Sequence, residues 1–221
     1  MTGPLLALGA SVSWGVGDIL AGLRSRRLPL LTVLVVSQAA GLLSIALVVA
    51  VRGAGPPEAR HLLWAALAGI AGAVGLAALY RGLAVGEMSV VAPISATAAV
   101  VPVAVGVLTG ERPGAGQAVG IGLAVAGVAL ASRAPAEHGR RTAVADGAVF
   151  AVVAAASFGL LLVGLGAASE GDALWGTLAM RASSFGLLAL TALLVRPAFA
   201  LGPRDLPVLV LIGILDTAGN A

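Results

Sequence analysis

The stretch GEMSVVAPISATAAVVPVAVGVLTGERP, residues Gly86–Pro113, decides the class of fold. Between Glu87 and Glu111 it contains 23 consecutive residues without a charged side chain. As an α-helix that rises 1.5 Å per residue, such a run crosses the hydrocarbon core of a bilayer, which is about 30 Å thick. The stretch therefore predicts a transmembrane helix that ends at a polar turn.

Two prolines inside this run, Pro93 and Pro102, predict that the helix is kinked. Each proline removes a backbone N–H donor and clashes with the preceding turn. A carbonyl without its partner is tolerated at membrane depth only where protein or a water-filled cavity covers it. We therefore expect Pro93 and Pro102 to be kink or gating positions in a helix that lines a cavity.

The composition of the whole chain indicates the same class. Of its 221 residues, 59% are hydrophobic and 10% are charged, whereas about a quarter of the residues of a soluble domain are charged. The chain has no cysteine, which excludes disulfides and thiolate metal sites. We expect an all-α, multi-pass protein of the cell membrane, either a plasma membrane or an inner membrane.

Apolar runs separated by short polar joints predict about eight helices. Their expected ranges are Pro4–Leu23, Leu28–Val51, Leu62–Tyr80, the opening stretch, Gly114–Ser132, Ala143–Leu165, Ala173–Val195 and a last helix from Leu206 onward.

The chain also resembles itself when it is shifted by 144 residues, with helices beginning and ending in the same register. The shift aligns Ser13 with Ser157, Gly15 with Gly159, Gly22 with Gly166, Val51-Arg52 with Val195-Arg196, Gly69-Ile70 with Gly213-Ile214, Gly75 with Gly219, and Trp14 with Phe158. A unit of five helices crosses the membrane an odd number of times, so two copies run in opposite directions. Such an inverted repeat is common in secondary transporters.

The repeat predicts how the chain is divided. We expect a first five-helix repeat over residues 1–133, a polar linker over 134–142 and an incomplete second repeat over 143–221. Compared with the first repeat, the second lacks about 55 residues, so about eight of an expected ten helices are present.

Three short motifs resemble those of the EamA-type transporters of the drug/metabolite transporter superfamily. They are Trp14-Gly15 before an arginine-rich turn, Tyr80-Arg81-Gly82-Leu83-Ala84, and Pro102 followed by Gly110-Glu111-Arg112. The resemblance implies a ten-helix inverted repeat with a central cavity that carries small metabolites or drugs by alternating access. It implies no particular substrate.

The arginines between helices are unevenly distributed. Joints after odd-numbered helices carry nine of them: Arg24, Arg26, Arg27, Arg81, Arg133, Arg140, Arg141, Arg196 and Arg204. The other joints carry Arg52, Arg60 and Arg112. The positive-inside rule then places the N-terminus outside, whereas the resemblance implies that it lies inside, and both orientations stay open.

Arg181 and Asp216 are informative because both lie deep in predicted helices that enter from opposite faces. A charge at the centre of the membrane costs about 2.5–3.5 kcal/mol on insertion scales, so each side chain needs a partner. We predict that they form an ion pair. The pair is either structural or part of a site for an anionic or zwitterionic substrate or a coupling proton.

Asp18 is a further intramembrane acid and shares a helix face with Trp14. It either pairs with Arg24 at the membrane edge or presents a protonatable carboxylate to the cavity. Gln38, beside a polar stripe on the second helix, and Tyr80, from the motifs of the resemblance, complete the predicted substrate-binding residues.

The sequence contains no catalytic or phosphate-binding motif of the common kinds. We expect no enzyme activity, no metal, no cofactor and no direct use of ATP. The expected function is a gradient-driven secondary transporter, an exporter of small metabolites, amino-acid-like compounds or drugs. The alternatives are a non-transporting membrane scaffold or fragment, and a passive channel.

The expected partners are the bilayer, a small-molecule substrate and a coupling proton, with a homodimer as an open alternative. Nucleic acid is not expected, because the arginines lie at the ends of apolar runs.

Overall fold

The computed structural model describes residues 2–131, 141–197 and 201–220, which form helices joined by turns. The helices are α1 Thr2–Ser25, α2 Leu30–Arg52, α3 Ala59–Val85, α4 Met88–Ala96, α5 Val100–Leu108, α6 Ala115–Ala131, α7 Arg141–Ser169, α8 Ala173–Val195 and α9 Leu206–Ala218. Six segments of the described residues are long and apolar enough to cross a membrane, with α4 and α5 counted together as Met88–Leu108. The predicted all-α membrane fold is confirmed. Most of the predicted linker, residues 134–142, lies outside the described residues.

The opening stretch is kinked, as predicted. A 3₁₀ turn at Thr97–Ala99 separates α4 from α5. Pro93 lies inside α4, where it removes the N–H that would otherwise bond the carbonyl of Ser89. Pro102 falls in the first turn of α5, where an N–H has no partner within the helix. A gating role for either proline stays a prediction.

Helix α3 is the centre of the packing and contacts α7 and α8. Its buried side chains join those of α2, α4, α7, α8 and α9 in one core. Two glycines allow close helix approach. A Cβ at Gly69 of α3 would collide with the carbonyl oxygen of Met180 in α8, and one at Gly213 of α9 with that of Ser37 in α2.

Contacts between the two parts of the chain are reciprocal. Helix α9 packs on α1 and α2 as α3 packs on α7 and α8. Trp14 of α1 lies against Gly219, and Phe158 of α7 lies against Gly75. Phe158 comes 144 positions after Trp14, and Gly219 comes 144 positions after Gly75. A two-fold exchange of the halves would generate such pairs, which supports the inverted repeat, while its boundaries stay predictions.

Two ion pairs connect the halves at opposite ends of the bundle. Arg24 Nη1, at the end of α1, lies 2.9 Å from Asp205 Oδ1, directly before α9. Arg52 Nη1, at the end of α2, lies 2.7 Å from Asp172 Oδ2, directly before α8. Because α1 and α2 are successive, oppositely directed helices, the pairs lie at opposite faces of the protein.

The alternative in which Asp18 pairs with Arg24 is wrong. Arg24 extends toward the aqueous edge, as long cationic side chains do, and meets Asp205 there. Asp18 lies more than one turn deeper on α1 and lines an internal cavity.

Candidate functional site

The predicted pair of Arg181 and Asp216 is present and includes a third residue, Gln38. Arg181 Nη1 donates to Asp216 Oδ2 at 2.6 Å and to Gln38 Oε1 at 3.0 Å. Gln38 Nε2 donates to the same Asp216 oxygen at 3.3 Å. The three side chains come from α8, α9 and α2, so this network connects both halves of the chain at membrane depth.

Helix packing explains why this network can form. Gly41 of α2 and Gly213 of α9 have no side chains, and a Cβ at either would collide with the other helix. The resulting close approach of α2 and α9 brings Gln38 beside Asp216. Arg181 is 3% exposed, and charge-assisted hydrogen bonds of this length offset part of the cost of burying it.

The guanidinium of Arg181 is only partly satisfied within the protein. Its Nε and Nη2 atoms are enclosed and have no hydrogen-bond partner among the described residues. A buried donor without a partner costs about 1–3 kcal/mol. A site that keeps this cost is expected to gain something from the charge, in substrate binding or in a change of conformation.

A partly open cavity of about 520 Å³ lies beside the network. One wall is polar and comes from α1, α8 and α9 with the turn that follows it; its side chains are Trp14, Asp18, Arg181, Ser184, Asp216 and Asn220. A second wall is mainly apolar and comes from α3, α4 and α7; its larger side chains are Leu76, Leu79, Met88, Phe158, Leu161 and Leu162. The volume falls in the range of small-molecule sites.

Asp18 differs from Asp216 in its ion pairing. It lines the polar wall, and no arginine among the described residues lies within 4.0 Å of its carboxylate. Asp216, in contrast, is held by Arg181. The two intramembrane acids are therefore not equivalent, because Asp18 can take up a proton or a cation without breaking an ion pair.

Four of the predicted substrate-binding residues line the cavity: Trp14, Asp18, Arg181 and Asp216. Gln38 lies behind this wall, where it orients Arg181 and Asp216. Tyr80 does not line the cavity, because its ring is 1% exposed and fills the core around α3. Pro93 and Pro102 also lie outside the lining, and their gating role stays a prediction.

Phe158 and Asn220 are among the lining residues that the sequence analysis did not predict as binding residues. Phe158 could have been found, since the 144-residue shift aligns it with Trp14. Asn220 gives no such signal, because the shift aligns it with Leu76. Its position follows from the fold: its side chain donates to the carbonyl of Asp216 at 2.7 Å, and its own carbonyl accepts from Thr177 at 3.0 Å.

Membrane-spanning helices around a cavity that combines buried charges with an apolar wall define a class of protein, the helical membrane transporters of small molecules. Residues 1–133 match the model of the EamA-like transporter family. The chain therefore belongs to this family, whose members are membrane transporters of small molecules. No curated protein and no solved structure matches the chain.

Proposed function

We propose that the protein is a secondary active transporter that exports small metabolites, amino-acid-like compounds or drugs across a plasma or inner membrane by alternating access. The substrate binds in the cavity between the two halves. Asp18 and Asp216 are the carboxylates that exchange protons with the gradient, and Arg181 sets the charge preference of the cavity through its pair with Asp216. No ATP is consumed directly.

One observation carries this proposal. Three charged residues deep in the helices, Asp18, Arg181 and Asp216, converge on a single cavity, because all three line it. Ionisable residues inside a membrane are costly, and those that face an internal cavity mark substrate or ion pathways. An asymmetric set, one free acid beside one paired acid, suits a cycle in which the two carboxylates load and unload protons at different steps.

The ion pairs at the two faces support alternating access. Arg24 with Asp205 holds α1 to the start of α9 at one face, and Arg52 with Asp172 holds α2 to the start of α8 at the other. Each pair joins one half to the other. Opening the cavity to one face requires the halves to separate there, and among the described residues one ion pair between the halves must break at each face.

The test is uptake by proteoliposomes that contain the full chain, screened against panels of metabolites and drugs with and without an imposed pH gradient. We expect saturable accumulation of at least one compound that depends on the gradient and is lost in D18N. Saturable binding without accumulation would favour a non-transporting scaffold. Flux that neither saturates nor responds to the gradient would favour a passive channel.

A further inference from the structure

The cavity is chemically two-sided because the two halves differ at matching positions. Four pairs of lining residues, each 144 positions apart, differ in polarity: Trp14 and Phe158, Asp18 and Leu162, Asp216 and Gly72, and Asn220 and Leu76. In every pair the polar or hydrogen-bonding member lies on α1, on α9 or directly after α9. Its counterpart on α3 or α7 carries no polar side-chain atom. A symmetric backbone thus holds an asymmetric site.

With both carboxylates ionised, the polar side carries a formal net negative charge. Its ionisable side chains are Asp18, Asp216 and Arg181, two carboxylates against one guanidinium. Because Arg181 is paired with Asp216, the uncompensated charge is on Asp18. An uncompensated charge in a medium of low dielectric constant is costly, and a cation beside it lowers that cost. Trp14, one turn away on the same face, offers an aromatic face that also attracts cations.

The free N–H groups of Arg181 do not reverse this preference. Its Nε and Nη2 atoms are enclosed by protein and have no accessible surface toward the cavity. A carboxylate in the cavity therefore cannot reach them in this conformation, and it would also lie near Asp18 and Asp216. In this conformation the site therefore favours cations over anions and zwitterions.

The apolar side indicates that the ligand is larger than an inorganic cation. Phe158, Leu161 and Leu162 line the same cavity as the polar side chains, and its volume is about 520 Å³, whereas one water occupies about 30 Å³. Each methylene that leaves water for such a surface increases affinity by a factor of about four. A ligand with an aryl or alkyl body gains from this wall, and a small hydrated cation does not.

We propose that the substrate of this site is a cationic amphipath, with one ammonium group at Asp18 and an apolar body against Phe158, Leu161 and Leu162, bound in a single orientation. This rests on the proposed function and names its substrate class.

The experiment measures binding of four matched probes to the full chain in phosphatidylcholine nanodiscs at neutral pH. Phenethylammonium carries both required features. Phenylalanine adds a carboxylate to it, 3-phenylpropanoate replaces its ammonium group by a carboxylate, and methylammonium lacks the apolar body. We expect phenethylammonium to bind at least tenfold more tightly than each of the other three.

Two variants locate the ammonium group. D18N should weaken phenethylammonium binding at least tenfold, because it removes the uncompensated charge with little change of shape. The matched control is E58Q, since Glu58 pairs with Arg60 in an exposed joint far from the cavity lining; it should bind like the unmodified protein. Should D18N fail to fold, the four-probe comparison on the unmodified chain decides the question alone.

Equal or tighter binding of phenylalanine, 3-phenylpropanoate or methylammonium would overturn this substrate class, as would binding of none of the probes. The proposed function and the substrate class can be tested separately. Gradient-driven uptake of another class of compound without phenethylammonium binding would overturn only the inference about the substrate. Phenethylammonium binding without gradient-driven uptake of any compound would overturn only the proposed transport.

Discussion

Arg52 at the end of α2 and Asp172 at the start of α8 are joined by an ion pair in which Nη1 lies 2.7 Å from Oδ2. The same carboxylate caps α8, because its Oδ1 accepts from the backbone N–H groups of Leu174 at 3.0 Å and Trp175 at 3.1 Å. One side chain thus stabilises a helix end and fastens the two halves together at one face.

The capping bond from the Trp175 N–H, assisted by Arg52 and the Leu174 N–H, holds the pKa of Asp172 below its ordinary value of 3.8. A carboxyl whose pKa is lower in the folded state stabilises the fold above its unfolded pKa, and this stabilisation is lost as pH falls through the folded pKa. We predict that D172A lowers the free energy of unfolding by about 1 kcal/mol at neutral pH, the usual value of an N-cap. Thermal unfolding in detergent from pH 7 to pH 2.5 measures this.

The difference between D172A and the unmodified protein should shrink as pH falls below 3.8. D172N separates the two roles of the side chain, because asparagine also caps helices but cannot form the ion pair; it should lose less stability than D172A. E170Q is the control, since Glu170 is exposed two residues earlier. A D172A effect that stays constant over the whole pH range would contradict the prediction.

We further predict that the pairs of Arg24 with Asp205 and of Arg52 with Asp172 control access from opposite faces. The chain has no cysteine, so a single A96C substitution on the cavity lining reports access without background labelling. R24Q should increase the rate at which A96C is labelled from the face where α9 begins. R52Q should increase the rate of labelling from the opposite face, where α8 begins. Partly exposed ion pairs contribute about 0.2–1 kcal/mol, which corresponds to a change of up to about fivefold.

The charge-reversed double variant R24D/D205R is the control for this experiment, because it restores the pair with its charges exchanged and should return labelling toward the original rate. If R24Q and R52Q increase labelling from the same face, the two pairs do not act as opposing gates.

The class of fold and the depth of the charges were predictable, because hydrocarbon thickness and the cost of burying charge act on single helices. Arg181 and Asp216 could be paired from depth alone. The surroundings of Asp18 could not be predicted. Whether it meets Arg24 or lines the cavity depends on the position of Asp205, which lies directly before a distant helix and binds Arg24. Tyr80 shows the same limit: an aromatic ring on a spanning helix is equally suited to a cavity wall and to the core, and packing around α3 placed it in the core.

Variants of the network of Arg181, Asp216 and Gln38 can show whether the ion pair is structural or functional. Removing one partner of a buried pair costs about 3–5 kcal/mol, because the other charge is left unpaired, whereas replacing both by apolar residues is often neutral. We predict that R181L strongly destabilises the protein and that R181L/D216L recovers most of the loss. If the site is functional, the double variant folds but does not transport. Unfolding in detergent and gradient-driven uptake together measure both; a double variant with full uptake would make the pair structural only.

Gly213 on α9 is the position where packing leaves least room for change. A Cβ there would collide with the carbonyl oxygen of Ser37 and approach the backbone of Gly41, so G213A must separate α2 from α9. Overpacking of this kind costs about 1–3 kcal/mol, and the separation would also draw Gln38 away from Asp216.

G186A on α8 is the matched control, because no atom lies within 4 Å of its added Cβ and alanine favours a helix over glycine by about 1 kcal/mol. We therefore predict a lower melting temperature for G213A and an unchanged or higher one for G186A. Equal melting temperatures would mean that the close approach of α2 and α9 does not hold the network together.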